Sequence, residues 1–239
     1  MGYYGFPKYE SVAEKKEKAI RAYEKLKKKN PDIEPIIIEG RTIAKNWWGK
    51  SWNSNLESYA DYSNRIARGK SYVRNNSVLD LKITKGIVKA KVQGSGSKPY
   101  EVNITIDALS SQKWARVVEL CNHRIDSLEQ LFEGKFPKAL EVLFIDKQYG
   151  MFPSPNEIHF NCSCPDWAYM CKHVAAVLYG IGAKLDQDPM LFFELRNLDG
   201  QALIQKSMES RLENMLKNAG KKSDREIAEA DLSELFGLE

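Results

Sequence analysis

Three of the chain's four cysteines and one of its three histidines fall inside a single short run, "CSCPDWAYMCKH", which begins at Cys162. The order is Cys162, one residue, Cys164, six residues, Cys171, one residue, His173. A structural zinc ion takes four soft or borderline donors at the corners of a tetrahedron, sulfur at ~2.3 Å and imidazole nitrogen at ~2.0 Å. Three thiolates and one imidazole complete that set. Cys162 and Cys164 share the parity of Ile158 and Phe160, so along an extended strand both thiolates point to one side. Pro165 and Asp166 turn the chain. Cys171 and His173 then return at the start of the apolar segment "HVAAVLYGIG", a helix whose positive N-terminal end favours a nearby thiolate. The spacing predicts a strand, a turn and a helix gathered around one Zn2+.

Other chemistries use these residues less completely. A disulfide would strand an odd thiol and leave the histidine without a role. A cysteine–histidine nucleophile pair is assembled across a fold, whereas Cys171 and His173 are local neighbours beside two further thiols. A zinc hydrolase keeps one coordination position open for water, which requires that one of the four is not a ligand. Beside the cluster only Asp166 is suited to act as base, and turn chemistry explains it equally well. The expectation is therefore a protein that is not an enzyme. His159, of opposite parity, falls outside the ligand set, and Cys121 in "WARVVELCNHRI" reads as a packed, reduced thiol.

The whole chain sets the context. With 239 residues, 43% hydrophobic and 28% charged, its composition is that of a soluble globular protein. No apolar run reaches eighteen residues, the N-terminus lacks the apolar core of a secretory signal, and "MGYYGF" has no Ser or Thr at its sixth position for myristoylation. A cytoplasmic protein without membrane attachment is expected. The formal charge of +4 is mild but uneven: from Arg65 to Lys98 nine basic residues face one acid, Asp80, and the remainder is net acidic. Such a region suits phosphate, although solvated strand faces also carry lysines.

Hydrophobic periodicity divides the chain. Residues 1–34 form a basic helical arm, capped by Ser11 with Glu14 three residues on, stopped at Asn30-Pro31, and bearing a thin apolar stripe of Ala19, Ile20, Tyr23 and Leu26. Residues 35–108 combine a short strand in "PIIIEG", a helix face of Trp47, Trp48, Trp52, Leu56 and Tyr59 expected to form an aromatic core, and three alternating strands. Leu79, Leu81 and Ile83 share one face, as do Val88, Ala90 and Val92, and Val102, Ile104 and Ile106. The strands make an antiparallel meander with a hairpin at Lys85-Gly86. Lys82, Lys89, Lys91 and Gln93 would project together from the opposite face. Residues 109–150 read as a helical connector, 151–218 as the zinc segment with C-terminal helices, and 219–239 as a charged linker with a short acidic amphipathic tail. In that tail Leu232, Leu235 and Phe236 are candidates for docking a partner. The "GSGSKP" connection lacks the spacing of a phosphate loop. The fold class expected is α+β: a small antiparallel sheet with helices, plus a zinc-centred strand-turn-helix packed on C-terminal helices.

The ligand run resembles the SWIM zinc finger, whose pattern is Cys-x-Cys, a variable gap, then Cys-x-His. Cys162, Cys164, Cys171 and His173 match it one for one. The longer run from Tyr149 to Arg196, and less specifically Arg65 to Ser95, is similar to SWIM-containing proteins of bacteria and archaea. The resemblance implies a zinc-stabilised module that binds DNA or protein, found in Swi/Snf-type helicase-like ATPases, in transposases and in stand-alone prokaryotic proteins that work beside such ATPases. The function expected is nucleic-acid binding, DNA rather than RNA, with Arg65, Arg68, Lys70, Arg74, Lys89, Lys91 and Lys172 on phosphates. Trp167 is expected to bury against the finger's own helix in preference to stacking on a base, with Tyr169 nearby. The alternative is an adaptor that docks on the ATPase through the finger or the tail "LSELFGLE", without touching nucleic acid.

Overall fold

Ser11 caps the first helix, α1 (Val12–Lys29), as its sequence requires: the Ser11 hydroxyl accepts from the Glu14 amide at 3.2 Å, and the Glu14 carboxylate accepts from the Ser11 amide in return. The computed structural model describes residues 10–58, 63–122 and 150–201, with 141, 144–146, 205, 209, 212, 213 and 215–217. After α1 come α2 (Trp47–Glu57), α3 (Ser63–Arg74), β1 (Val78–Thr84), β2 (Ile87–Val92), β3 (Tyr100–Ile106), α4 (Ser111–Asn122), β4 (Ile158–Cys162), α5 (Lys172–Gln187) and α6 (Leu191–Leu195). The protein is α+β. Tyr59, Leu232, Leu235, Phe236, most of the connector and most of the last predicted helix lie outside the described residues. Among the described residues no helix is long and apolar enough to cross a membrane.

The four strands form one antiparallel sheet in the order β1-β2-β3-β4. The predicted meander supplies the first three, and β4 joins them from the zinc segment, with Ile104 opposite Phe160 and Val102 opposite Cys162. The hairpin at Lys85-Gly86 turns through Gly86 at φ +67°, a conformation glycine adopts without steric cost. The Gly86 amide donates to the Glu194 carbonyl at 2.9 Å, seating the hairpin tip on α6.

Three sequence expectations are corrected. The register shifts between Val78 and Asp80, so Val78 takes the core position opposite Val92, and Leu79 is buried outside the face of Leu81 and Ile83. β2 ends at Val92. Gln93 therefore does not project with the lysines but lies 4% exposed, its amide donating to the carbonyls of Gly94 and Gly96 at 2.9 Å each. The "PIIIEG" segment is not a regular strand: one backbone hydrogen bond ties it to β1, from the Ile36 amide to the Val78 carbonyl at 3.1 Å, beside the bond from the Leu81 amide to the carbonyl of the preceding Glu34 at 2.9 Å.

Helix α5 is apolar on every side, which requires burial on every side. It lies between the sheet and the pair α2 and α3, and Trp52 donates its indole N–H to the Leu178 carbonyl at 2.8 Å. The tryptophans form the expected core: Trp48 is fully buried, with Phe144 edge-on at 5.2 Å and Phe192 at 5.4 Å. Helix α3 reaches α5 because Gly69 has no side chain; a Cβ there would lie 2.5 Å from that of Ala175. Behind α6, Arg196 is 0% exposed, paired with Glu157 at 2.7 Å and donating to the Asp107 carbonyl at 2.9 Å. That pair ties α6 to the short 3-10 turn Pro155–Glu157, from which β4 starts.

Candidate metal centre

Strand alternation continues to the end of β4: Ile158 is buried and Phe160 and Cys162 half-buried, while His159 and Asn161 are exposed. Past the strand, the Ser163 amide donates to the Glu101 carbonyl at 3.0 Å, and the Ser163 hydroxyl accepts from the Glu101 amide at 2.9 Å. This pinning carries the extended geometry on to Cys164. The loop then closes where the Asp166 carboxylate accepts from the Ala168 amide at 3.2 Å, and Arg65 of α3 pairs with Asp166 at 3.1 Å. Cys171 is the N-cap of α5, its carbonyl accepting from the Ala175 amide at 3.0 Å.

These elements converge. The donor atoms of Cys162, Cys164, Cys171 and His173 all lie within 4.8 Å of one another. Nδ1 of His173 is 3.9 Å from the Cys162 sulfur and 3.8 Å from the Cys171 sulfur. A tetrahedral zinc site with the bond lengths given above has donor–donor edges of ~3.5–3.8 Å, so three sulfurs and one nitrogen here fit the ion. Cys162, Cys164, Cys171 and His173 are positioned to hold zinc. His173 presents Nδ1 to the thiols, and its ring is clasped by Tyr100 at 4.6 Å and by Tyr72, edge-on, at 5.3 Å.

The electrostatics favour a thiolate at the helix end. A hydrogen bond from Cys162, with help from His173 and the Val174 amide and against the effect of burial, pulls the Cys171 thiol down to about 3. Cys162 is pushed up because its thiol proton is the one donated to Cys171, and burial pushes Cys164 up. The three thiols therefore behave as one group that shares charge.

Residues 159–180 match the family described as the SWIM zinc finger. The chain carries a SWIM zinc finger. It is also 33% identical over 183 residues to the uncharacterized protein Rv2102 of Mycobacterium tuberculosis, an alignment covering 73% of this chain and 66% of the relative. No solved structure matches the chain significantly.

The SWIM finger does not bury Trp167. That side chain is 94% exposed, contrary to the sequence expectation, because the sheet, α2 and α3 already cover α5 and leave no free face for it. Tyr169 is 57% exposed and donates its hydroxyl to the Ile158 carbonyl at 3.1 Å. His159 is a surface residue, 3.2 Å from Asp107.

The predicted phosphate contacts divide between surfaces. On α3, Arg65 is engaged by Asp166, and Lys70 pairs with Glu57 at 2.8 Å and lies over the Tyr179 ring at 5.5 Å. Arg68 is exposed, as is Arg74, whose Nε donates to the Arg41 carbonyl at 3.0 Å. Lys89 is exposed and Lys91 half-buried on the face of β2 opposite the core residues Val88 and Ala90, away from the helical layer. Lys172 opens α5 between two zinc ligands and is half-buried. Sequence reasoning missed the clasp around His173. Gly94 opens "GSGSKP", read only as a connection between strands, and neither Tyr72 nor Tyr100 carries a periodic signal pointing to the metal.

Proposed function

We propose that the protein is a non-enzymatic nucleic-acid-binding protein, with DNA as its ligand, in which zinc fixes the loop that presents the contact. The observation that carries this is Trp167. A tryptophan 94% exposed on a loop anchored at both ends by ligands and at Asp166 by Arg65 is held rigidly for a partner. Base stacking on an aromatic side chain contributes about 1–3 kcal/mol per base. Arg68, exposed one turn beyond Arg65 on α3, brings a cation to the same region. Four protein donors leave the ion no open position, which supports a structural zinc and no hydrolytic role. Unpaired thiols around a metal suit the reducing cytoplasm. The resemblance of the finger to those associated with Swi/Snf-type ATPases suggests such an ATPase as the working partner.

The test is a salt titration of zinc-loaded protein against single-stranded DNA, duplex DNA and RNA, run beside the Arg68→Glu, Arg74→Glu variant. Binding to DNA that weakens with salt and weakens further in the variant is expected. Absence of binding to all three at low salt refutes the proposal and transfers the finger to the adaptor role.

A further inference from the structure

A groove runs along α1. At one end is a cleft of about 900 Å3 between α1, the loop from Gln93 to Ser97 and the start of α5, with Tyr72 and Lys172 beside the metal centre. It shares Ala22, Lys25 and Ser97 with a second concavity of about 310 Å3 that continues past Lys29, Lys91 and Lys98. Lys18, Ala22, Lys25 and Lys29 recur at helical spacing, so one face of α1 forms the wall. The Lys18 ammonium donates to the Ser95 carbonyl at 2.7 Å and fixes that wall to the opposite bank.

The groove is electropositive. Eight basic side chains and four acidic ones line the two concavities. Three of the acids are committed locally: Glu10 pairs with Lys18, Glu17 with Arg21, and Glu14 closes the cap of α1. The second concavity, which holds Lys25, Lys29, Lys91 and Lys98, contains one acid, Glu101. Proteins that read duplex DNA insert a convex helix or ribbon into one of its grooves. A concave basic channel suits one strand, whose backbone follows the cations while its bases remain free to stack.

We infer that this groove holds a single strand of nucleic acid by its phosphates, with α1 as one jaw of a clamp and the strand's path leading to the zinc centre. The inference deepens the nucleic-acid proposal and rests on it. It gives the N-terminal arm, which lies outside the SWIM finger, a direct role in binding.

The experiment compares full-length zinc-loaded protein with two triple charge reversals. The groove variant is Lys25→Glu, Lys29→Glu, Lys98→Glu. The control, with the same change in net charge, is Lys45→Glu, Lys50→Glu, Lys85→Glu, at the far ends of α5 and of the sheet. Zinc content and circular dichroism verify the fold of each. The probes are a labelled oligothymidylate and a mixed-sequence duplex, titrated with salt. Each lost phosphate contact lowers the slope of log K against log salt by ~0.7 on a single strand, so the groove variant should lose about 2 units of slope and at least tenfold in affinity for oligothymidylate. The control should lose less, and the duplex should be affected less than the strand. Equal losses in groove and control variants, or a duplex that loses as much as the strand, overturn the inference while leaving the broader proposal standing. Wild-type protein that binds neither probe overturns both.

Discussion

Gly94 packs against the imidazole of His173: a Cβ at position 94 would lie 2.7 Å from Nε2 of His173 and 2.5 Å from the Tyr100 ring. Gly94 is not one of the glycines with positive φ, which are Gly40 and Gly86, so space and not backbone conformation demands glycine here. Groups that orient a ligating histidine typically change metal affinity by about 10–100-fold when altered. Gly94→Ala should therefore weaken zinc binding at least tenfold, measured by competition with a chelator of known affinity. Unchanged affinity would show that the Tyr100 ring yields and the imidazole stays in place.

Loss of any one ligand should unfold the site locally before it unfolds the protein. Structural zinc contributes on the order of 10 kcal/mol in small zinc modules. Here, however, the helix that carries Cys171 and His173 is also the centre of the core, with Val174 to Leu178 fully buried. In Cys164→Ser, or after zinc chelation, amide exchange should rise steeply from Cys162 to His173 and much less from Leu178 to Leu185. Hydrogen-exchange mass spectrometry on loaded and stripped protein distinguishes this from uniform opening, which would mean that the metal supports the whole fold.

The metal centre was legible in the sequence because its determinants are local. Parity along Ile158, Phe160 and Cys162, a turn at Asp166 and an apolar helix from His173 are each short-range signals, and the sheet register preserved them. Leu79 and Gln93 were misassigned because a bulge and a strand end depend on cross-strand partners that no single strand announces. The burial of Trp167 was wrongly expected for a related reason. A tryptophan beside an apolar helix looks destined for that helix until the sheet, α2 and α3 are seen to occupy every face, with α3 brought close at Gly69 and α2 at Gly49.

The Arg196–Glu157 pair should make stability depend on pH. Burial alone would raise the Glu157 carboxyl, but Arg196 and Ser154 together outweigh it and hold it below the ordinary range. A carboxyl depressed in the folded state contributes stability that is present above its unfolded value, ~4.3, and is lost as pH falls through the folded value. Urea midpoints measured from pH 7 to pH 3 should fall more steeply below pH 4 for wild type than for Glu157→Gln. Arg196→Met, which leaves the Glu157 charge without its partner, should cost about 3 kcal/mol at neutral pH. Parallel acid limbs in wild type and Glu157→Gln would assign the acid sensitivity to other groups.

Trp167→Ala separates a binding role from a packing role, because the two make opposite predictions. At 94% exposure the side chain has little to lose from the fold, so the unfolding midpoint and zinc content should change by no more than a surface substitution does, about 0.5 kcal/mol. Binding to single-stranded DNA should fall by a factor of about 5 to 150, the range that loss of ~1–3 kcal/mol of stacking produces. Trp167→Phe, which keeps a ring on the loop, should restore most of that loss, whereas Trp167→Leu, apolar but without a π face, should not. Rescue by leucine as good as by phenylalanine would mean that the loop docks into an apolar pocket of a protein, which is what the adaptor alternative requires.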